Sequence, residues 1–452
     1  MKSLVAAQTS YFQTNATKDI AFRVRQLRRF LGALKEHEPA LMAAIHADFG
    51  KSVFDTWTNE LGLVYHSLNE AIRLTPRWAS PRRVRTNIIN LPARSLILPE
   101  PLGVALVIGA WNYPYQLSLA PVVAALAAGN TVILKPSELP ARTSRAMADA
   151  INPNFDPAYF TVVEGGIPET TALLEQKFDK IFFTGSVPVG KIVYQAAARH
   201  LTPVTLELGG KSPAIVAADS NLAVAAKRLV WAKFLNAGQT CIAPDYVLVE
   251  RAVHDRFLAH VVAEIDRAGY AVENGNYVRI INDRNLHRLL AMIDPAKVHH
   301  GGGCDAAARV LAPTILTGVG WDDKVMEDEI FGPILPVLAY DDLDDAIKMI
   351  KARPKPLSCY AFTGNRATKD KILREISFGG GAINDAIMHI SNSNLPFGGV
   401  GDSGTGSYHG EDGFRAFSHQ KSVLEQVTWL DPFLRYPPHG PKKLRLLQWL
   451  MR

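Results

Sequence analysis

The stretch GVALVIGAWNYP at residues 103–114 opens a series of apolar runs that each end in a turn. The series continues with NTVILKPSE at 130–138, FTVVEGG at 160–166 and KIFFTGSVPVG at 180–190, and segments of helical character separate the runs. Strands that alternate with helices predict a parallel sheet with helices on both faces. In such sheets, ligands bind beyond the carboxyl ends of the strands. Polar residues stand at or just after these predicted ends: Asn112, Lys135, Glu138, Gly185 and Ser186.

The segments on either side of this series have different patterns. Residues 17–81 carry apolar positions at three- and four-residue steps, which predicts helices that cover the sheet. Residues 82–98 alternate between apolar and polar and break near 90–93, which predicts a two-stranded ribbon that leaves its parent domain. The longest apolar stretch, 117–134, is interrupted by proline and glycine, so we expect no membrane-spanning helix.

Two glycine-rich segments have the composition of phosphate-binding loops. Residues 399–404, GVGDSG, match the letters of G-x-G-x-x-G, but they follow LPFGG instead of a strand, so we reject them as a dinucleotide motif. Residues 185–190, GSVPVG, do lie between a predicted strand and a predicted helix. Their spacing is not that of a dinucleotide motif, so a phosphate loop and a plain tight turn are equally good interpretations.

Composition and charge limit the kinds of partner that we expect. The chain has 452 residues, 48% of them hydrophobic and 20% charged, which is ordinary for a globular protein of two or three domains. Of the net charge of +6, five positive charges lie in residues 435–452, so the body is almost neutral and no nucleic-acid partner is expected. Three cysteines without CxxC spacing predict neither a metal site nor disulfides and suit a reducing cytoplasm. The amino-terminal residues do not resemble a signal peptide.

A carboxylate and a thiol stand out in residues 205–244. Glu207 lies in the apolar run TLEL, and Cys241 follows a predicted helix and a glycine-containing turn in FLNAGQTC. A carboxylate that activates water and a thiol that attacks carbon are the two parts of a covalent mechanism in two steps. The alternative is structural, since a buried Glu usually joins an ion pair and an intracellular Cys is usually a small core residue. Cys304 and Cys359 have no comparable context and are expected to take no part.

Seven motifs together resemble one family. GAWNYP, ILKPSE, FFTGS, LELGGKSP, GQTC, EDEIFGP and LPFGGVGDSG occur in the order and approximate spacing of the aldehyde dehydrogenase superfamily, over about residues 15–430. The runs GSYHGEDGFRAFSHQKSVL and LRYPP resemble its class 3 and fatty aldehyde dehydrogenase branch. The resemblance implies an α/β fold in three parts with a tail, and a homodimer. The three parts are a Rossmann-like NAD(P)-binding domain (1–81 and 99–208), an α/β catalytic domain (209–417) and a small β bridging and oligomerisation element (82–98 and 418–436). The tail is basic and amphipathic (437–452).

The resemblance also implies roles for three residues. Cys241, in the GQTC motif, would attack the aldehyde carbon, and Asn112 with the Cys241 backbone N–H would stabilise the alkoxide that forms. Glu207 would activate the water that cleaves the resulting thioester. The remaining structural alternative for Glu207 is an ion pair with Lys211.

The cofactor that the resemblance implies is NAD, with NADP as an alternative and no metal. Lys135 and Glu138 would meet the adenosine ribose, although a solvated charge pair in a turn is the plain alternative. Because Glu138 disfavours a 2′-phosphate whereas Lys135 tolerates one, NADP stays open. The expected cofactor-binding residues are Ile108, Ala110, Trp111, Lys135, Ser137, Glu138, Thr184, Gly185, Ser186, Val189, Leu208, Gly209, Glu329 and Phe331. The residues expected to line a substrate funnel are Tyr65, Tyr115, Phe397 and His409.

The carboxy-terminal tail bears on substrate and localisation. An α-helix from Leu444 would gather on one side Leu444, Leu446, Leu447, Leu450 and Met451, opposite Arg445, Gln448 and Arg452. Such a helix lies on an anionic membrane surface or caps an apolar funnel, and docking onto its own domain is an equally good alternative. We therefore expect a cytoplasmic protein, with membrane association as an alternative.

The expected function is the NAD(P)-dependent oxidation of apolar aldehydes to carboxylic acids. Similarity to fatty aldehyde dehydrogenases favours long aliphatic aldehydes, with aromatic and isoprenoid aldehydes as alternatives. A CoA-acylating or reductive member of the same fold is the second hypothesis, and Glu207 argues against it because such an enzyme has no need to activate water. A binding or structural role is the third, and the intact set of catalytic candidates disfavours it.

Overall fold

The computed structural model describes residues 1–431 and 433–451, without the side chain of Leu450. Pro432 in the predicted bridging element, Arg452 in the predicted tail and the apolar side chain of Leu450 therefore lie outside the described residues. The α-helices, in chain order, are α1 (Lys2–Gln13), α2 (Ile20–Glu36), α3 (Glu38–Phe49), α4 (Val53–Thr56), α5 (Gly62–Trp78), α6 (Pro114–Ala128), α7 (Ala141–Ile151), α8 (Ile167–Leu174), α9 (Val187–Ala198), α10 (Leu222–Phe234), α11 (His254–Ala268), α12 (Asp283–Leu290), α13 (Leu343–Lys351), α14 (Arg366–Glu375), α15 (Gly410–Ala416) and α16 (Pro441–Leu450). The strands, in chain order, are β1 (Arg82–Val84), β2 (Arg94–Pro101), β3 (Val104–Ile108), β4 (Thr131–Lys135), β5 (Phe160–Val162), β6 (Lys180–Thr184), β7 (Val204–Glu207), β8 (Pro213–Val216), β9 (Tyr246–Glu250), β10 (Val298–His300), β11 (Cys304–Asp305), β12 (Val310–Leu311), β13 (Thr314–Leu316), β14 (Ile334–Tyr340), β15 (Ser358–Phe362), β16 (Gly380–Ile383), β17 (Gly404–Thr405) and β18 (Ser418–Glu425).

Helices α2 to α5 form the covering layer that the periodicity of residues 17–81 predicted. The Asp19 carboxylate starts α2 by accepting hydrogen bonds from the N–H groups of Ala21 and Phe22, as an N-cap residue does. The apolar stripe of α2, which includes Leu27 and Phe30, is fully buried. It packs against α5, and α5 packs in turn against α6, so the layer is built on apolar contacts.

The predicted parallel sheet is present, with the strand order β17-β7-β6-β3-β4-β5 among the described residues. β3 to β7 are parallel, and the short β17 is antiparallel to β7. Helices pack on both faces, α6 on one and α1 and α9 on the other, so β3 to β6 are buried along their whole length. Four neighbouring strands end at one edge in residues of functional interest: Ile108, Lys135, Thr184 and Glu207.

A second large sheet begins directly after Glu207. Its strand order, within the described part of the chain, is β10-β13-β14-β9-β8-β15-β16, with antiparallel pairing at β10 and parallel pairing elsewhere. Cys241 lies in the connection between α10 and β9. The two catalytic candidates therefore come from the end of one sheet and from a loop of the other.

The ribbon predicted at residues 82–98 forms a separate antiparallel sheet. Its strand order in the described chain is β1-β2-β18, and β18 pairs with β2 from Ser418 opposite Pro101 to Glu425 opposite Arg94. β2 runs beyond residue 98, and β17 joins the first sheet from within the segment 209–417. The boundaries proposed for the three parts thus stay a prediction.

None of the helices within residues 1–431 and 433–451 has both the length and the apolar character that crossing a membrane requires.

Candidate active site

Glu207 closes β7 as a buried carboxyl group. Its main chain is fixed, because the Gly185 N–H donates to the Glu207 carbonyl oxygen at 3.0 Å and Gly404 pairs with it in register. Glu207 is 2% exposed, and neither carboxyl oxygen has a hydrogen-bond partner among the described residues. Burial raises the pKa of Glu207 well above its usual range. The resting side chain is therefore held as the neutral acid over a wider pH range than an exposed Glu.

The ion-pair alternative for Glu207 is wrong, because Lys211 binds elsewhere. The Lys211 ammonium donates to Asp245 Oδ2 at 2.5 Å and to the carbonyl oxygens of Val325 and Asp328 at 2.9 and 2.8 Å. Lys211 thus holds the segment before Glu329 and leaves the Glu207 carboxyl group free.

Cys241 follows a tight loop that only small side chains permit. Asn236, Ala237 and Gly238 all have positive φ angles, of 54°, 51° and 69°. A Cβ atom on Gly238 would lie 2.2 Å from the carbonyl oxygen of Gly332, so this position requires glycine. The backbone strain of this loop is the kind that tightly packed functional sites retain.

The Cys241 thiol shares one electrostatic environment with two carboxyl groups. Cys241 is partly exposed. Burial of the sulfur, followed by the charges of Glu329 and Glu207, raises the pKa of Cys241 to about 12. The three groups therefore lie close enough to influence one another, and the resting nucleophile is a thiol. Of the other cysteines, Cys304 is exposed and Cys359 is buried.

Asn112 is bonded to the loop that carries Cys241. Its Nδ2 donates to the carbonyl oxygen of Gln239 at 3.0 Å, while Asn236 Nδ2 donates to the Asn112 carbonyl oxygen at 3.0 Å. The next residue, Tyr113, shares a 2.8 Å hydrogen bond with the Thr240 hydroxyl. A side-chain amide has two N–H donors, and one of those of Asn112 has no hydrogen-bond partner among the described residues.

Glu329 lies on a segment held by the half-buried Arg288 and the buried Asp245. Arg288 donates to the carbonyl oxygens of Glu329 and Ile330 at 3.3 and 2.7 Å, and Asp245 Oδ1 accepts from the Ile330 N–H at 3.0 Å. A Cβ atom on Gly209 would lie 2.1 Å from the Glu329 carboxyl group, so this glycine permits close contact. Burial, followed by the charge of Asp245, raises the pKa of Glu329 to about 8.

The residues expected to bind cofactor surround the shared strand edge. Ser186 stands at the N-cap of α9, and no described side chain caps that helix, so its first N–H groups suit an anion. Gly190 lets Leu208 pack against α9, because a Cβ atom there would lie 2.7 Å from Leu208 Cδ2. Lys135 is buried with its ammonium on the carbonyl oxygen of Pro136, and burial lowers its pKa while the charge of Glu138 opposes the shift. The donor set therefore fits a dinucleotide phosphate and its riboses.

Two expected cofactor residues, Trp111 and Phe331, contact each other through their rings. The rings of Trp111 and Phe331 meet edge to face with centroids 5.3 Å apart. Phe331 holds a positive φ of 48°, which costs energy for a bulky residue. Ile108 and Ala110 are buried, Ser137 is half-buried, and Glu138 and Val189 are exposed.

An aromatic wall of Tyr360, His389, Phe397, Tyr408 and His409 stands next to the thiol. Phe397 stacks between His389 and His409, at centroid distances of 6.0 and 5.2 Å. Burial, followed by the charges of Glu207 and Cys241, raises the pKa of Tyr408, so this member of the wall lies near both catalytic candidates. Burial lowers the pKa of both His389 and His409 to about 4, so both imidazoles are neutral.

Two of the four residues expected in the funnel lie elsewhere. Tyr65 donates its hydroxyl to Glu38 Oε2 at 2.7 Å, and Tyr115 donates its hydroxyl to the carbonyl oxygen of Leu41 at 2.7 Å. Both belong to the packed helical layer, where Tyr115 is fully buried. Because of these contacts, the two tyrosines are not part of the proposed funnel. The motifs around them do not reveal which way a side chain on a helix points.

The chain is similar to known proteins both in sequence and in fold. The model of the "Aldehyde dehydrogenase family" matches residues 1–423. The chain is 44% identical to "4,4'-diaponeurosporen-aldehyde dehydrogenase" of Staphylococcus aureus over 96% of this chain and 95% of that protein. It is 43% identical to "Aldehyde dehydrogenase, dimeric NADP-preferring" of rat, over 96% of this chain and 97% of that protein. The structure "Substrate bound state of Staphylococcus Aureus AldH" superposes with a TM-score of 0.97 at 42% identity, over 100% of this chain and 99% of that one.

Proposed function

The chain belongs to the aldehyde dehydrogenase family, among its class 3 relatives, and we propose that it oxidises long apolar aldehydes to carboxylic acids through a thioester on Cys241. It is an NAD(P)-dependent aldehyde dehydrogenase, and the proposal adds its mechanism and substrate class. One observation carries the mechanism. A thiol, an amide with a spare N–H and a carboxyl group without a partner among the described residues meet at one strand edge.

Cys241 performs the first half of the proposed reaction. The thiol of the partly exposed Cys241 must first give its proton to a water molecule, because its pKa in the resting site is about 12. The thiolate sulfur then forms a bond to the aldehyde carbon, and the carbonyl π electrons move to the oxygen. The Asn112 amide and the Cys241 backbone N–H donate to that alkoxide. Lys135, Ser186 and Glu329 would hold NAD(P)+, which would supply the hydride acceptor for the former aldehyde carbon and so leave an acyl thioester on Cys241.

Glu207 performs the second half. As a carboxylate it takes a proton from water, and the water oxygen attacks the thioester carbon. The bond between carbon and sulfur then breaks, Cys241 leaves as a thiolate, and the acid is released. The raised pKa of Glu207 makes the ionised side chain a stronger base than an exposed Glu. Because Glu207 has no counter-ion among the described residues, nothing in that part of the chain competes for its charge.

The cofactor is proposed to lie along the shared strand edge. Gly185 and Ser186 at the start of α9 would bind the pyrophosphate, and Lys135 with Glu138 would bind the adenosine ribose. Glu329 and Phe331 would bind the nicotinamide ribose and brace the ring. We propose NAD as the main cofactor and NADP as an alternative. The name of the rat relative, which is called NADP-preferring, supports the alternative.

The aromatic wall supports an apolar substrate. Its rings are buried or half-buried, and its two imidazoles are neutral, so a hydrocarbon chain would meet no charge there. Long aliphatic aldehydes are the leading class. An isoprenoid aldehyde is a second candidate, because the Staphylococcus aureus relative is named for an aldehyde of that chemistry.

The proposed homodimer and membrane contact rest on exposed features of the bridging sheet and the tail. β18 is an edge strand of its sheet, and the rat relative is named as dimeric. In α16 the side chains of Leu444, Leu446 and Trp449 are 56%, 40% and 73% exposed. An exposed apolar face beside Lys442 and Lys443 suits an anionic membrane surface better than docking on its own domain. Equal binding to anionic vesicles by the full chain and by a chain that ends at Pro438 would contradict the membrane contact.

A direct assay tests the proposed function. The purified protein is mixed with decanal and NAD, and the absorbance of the reduced cofactor is followed. We expect steady turnover with the wild type and none with Cys241→Ala. No signal with the wild type across aliphatic, aromatic and isoprenoid aldehydes, or an undiminished signal with Cys241→Ala, would contradict the proposal.

A further inference from the structure

An ion pair between Lys51 and Glu60 is buried behind Asn112. Lys51 Nζ lies 2.9 Å from Glu60 Oε1, and both side chains are 0% exposed. Taking two charges out of water costs more than their attraction returns unless further hydrogen bonds satisfy them. A buried ion pair is therefore weak evidence of a contribution to stability, and its other contacts indicate what it does.

Glu60 caps helix α6 from a distant position. Its second oxygen, Oε2, accepts hydrogen bonds from the N–H groups of Tyr115 and Gln116, both at 3.0 Å. These are the two N–H groups from which an N-cap side chain ordinarily accepts a hydrogen bond. The N-cap residue of α6 is Tyr113, which makes no such bond, and Pro114 has no N–H to offer. Because Glu60 replaces the missing cap, residues 112 and 113 can carry an amide and a phenol that face Cys241.

Lys51 links this cap to the two residues before α6. Its ammonium lies 3.5 Å from the carbonyl oxygen of Asn112 and 4.3 Å above the ring of Tyr113. Those residues in turn bond to Gln239 and Thr240, directly before Cys241. The ion pair is thus connected through residues 112 and 113 to both the oxyanion donor and the nucleophile loop.

An irregular turn brings Glu60 into this position. Residues Trp57–Leu61 form a π-helical turn between α4 and α5, in which the Gly62 N–H donates to the Trp57 carbonyl oxygen. A Cβ atom on Gly62 would lie 2.4 Å from that oxygen, so the turn requires glycine there. The extra residue turns the preceding side chains by about 100° relative to α5, since an α-helix has about 3.6 residues per turn. Single π-turns inside helices are frequent at functional sites.

We propose that Glu60 and Lys51 are positioning residues that hold the Asn112 amide where the substrate alkoxide forms. This inference rests on the proposed function, since it gives Asn112 the oxyanion role. Neither side chain touches the substrate, and both act through the start of α6. Loss of the pair would move the oxyanion donor, whereas the Cys241 loop would keep the hydrogen bonds that join the Gln239 side chain to the Arg279 carbonyl oxygen and the Ile281 N–H.

A double-mutant cycle tests the inference. Glu60→Gln removes the charge that holds Lys51, and Glu60→Asp keeps the charge but shortens its reach by about 1.5 Å. Displacement of a catalytic group by about 1 Å can cost on the order of 100-fold, so we expect each variant to lower kcat by about 10- to 100-fold. In an Asn112→Ala background the same substitutions should lower kcat by less than about 3-fold, because residues that act through one group are not additive.

Two further readouts separate positioning from a loss of folding. Alkylation of Cys241 by iodoacetamide forms no alkoxide, so its rate should match the wild type in both Glu60 variants, and NAD binding should be unchanged. Glu38→Gln is the matched control, because Glu38 also accepts a side-chain hydrogen bond in the helical layer, from Tyr65, and has no hydrogen bond to α6 among the described residues. We expect its kcat to stay within about 2-fold of the wild type, as surface-layer changes away from a site usually do.

The outcomes distinguish this inference from the proposed function. Wild-type kcat in Asn112→Ala would remove the oxyanion role of Asn112, and the inference would fall with that part of the mechanism. A slow Asn112→Ala to which the Glu60 substitutions add their full loss would overturn the inference alone. Wild-type kcat in both Glu60 variants, or a parallel loss of Cys241 alkylation, would overturn it as well.

Discussion

Replacing Glu207 by Gln separates the two halves of the proposed reaction. Gln has nearly the shape of the protonated acid but cannot take a proton from water. A positioned general base contributes about 10²- to 10⁴-fold to a rate. At about 1.4 kcal/mol per factor of ten, this corresponds to about 3–6 kcal/mol of transition-state stabilisation. We therefore expect steady-state turnover to fall by about this factor while the first hydride transfer keeps its wild-type rate.

The structure also predicts that Glu207→Gln keeps its fold. Because burial raises the pKa of Glu207, the folded protein binds this proton more tightly than the unfolded chain does. Ionisation of Glu207 therefore opposes folding as the pH rises from the ordinary carboxyl range towards the raised pKa of the folded state. Gln carries no charge, so at neutral and alkaline pH the variant should be at least as stable as the wild type. Thermal unfolding at several pH values measures this difference.

Stopped-flow absorbance of the reduced cofactor is the decisive assay for this substitution. With decanal and NAD we expect a burst of one reduced cofactor per Cys241, followed by turnover close to zero. Cys241→Ala should show no burst and serves as the control. A slow first turnover would place Glu207 in the hydride half of the reaction, and wild-type steady-state turnover would remove it from the mechanism; either result refutes the reasoning.

Three further predictions concern the same site. Lys211→Met leaves the buried Asp245 carboxylate without its ion-pair partner, and breaking a buried pair costs about 3–5 kcal/mol. Urea should therefore unfold this variant at a lower concentration, and an unchanged midpoint would contradict the ion pair between Lys211 and Asp245. Gly238→Ala places a Cβ atom against the Gly332 carbonyl oxygen at a positive φ. The resulting strain and overpacking should lower the free energy of unfolding by about 2 kcal/mol or more, and an unchanged thermal stability would contradict this loop geometry. Hydrolysis of the acyl-enzyme should speed up with rising pH through the raised pKa of Glu207, and a flat single-turnover profile would argue against a carboxylate base.

The sequence predicted the edge at which the site lies because parallel strands align their ends. Runs that finish in Ile108, Lys135, Thr184 and Glu207 become neighbouring strands, so residues separated by about a hundred positions meet there. The rejection of residues 399–404 as a dinucleotide motif also agrees with the structure, since their end forms the antiparallel β17.

The supporting contacts were beyond sequence reasoning for a physical reason. Arg288 meets Glu329 across 41 positions through backbone carbonyl groups, which no side-chain pattern reveals. Lys51 and Glu60 are nine positions apart, and this spacing predicts no contact within an α-helix or across a pair of strands. The π-turn that positions Glu60 could not be predicted from the sequence. Tyr65 and Tyr115 illustrate the opposite error, because a polar aromatic residue near a motif can equally donate its hydroxyl into the core.

Mass spectrometry of the acyl-enzyme shows directly whether a thioester forms on Cys241. Glu207→Gln is mixed with decanal and NAD, quenched in acid and digested. We expect the chain to gain one decanoyl group and the peptide containing Cys241 to carry it. A decanoyl group on another residue, or an unmodified chain after reduced cofactor has formed, would contradict a thioester on Cys241.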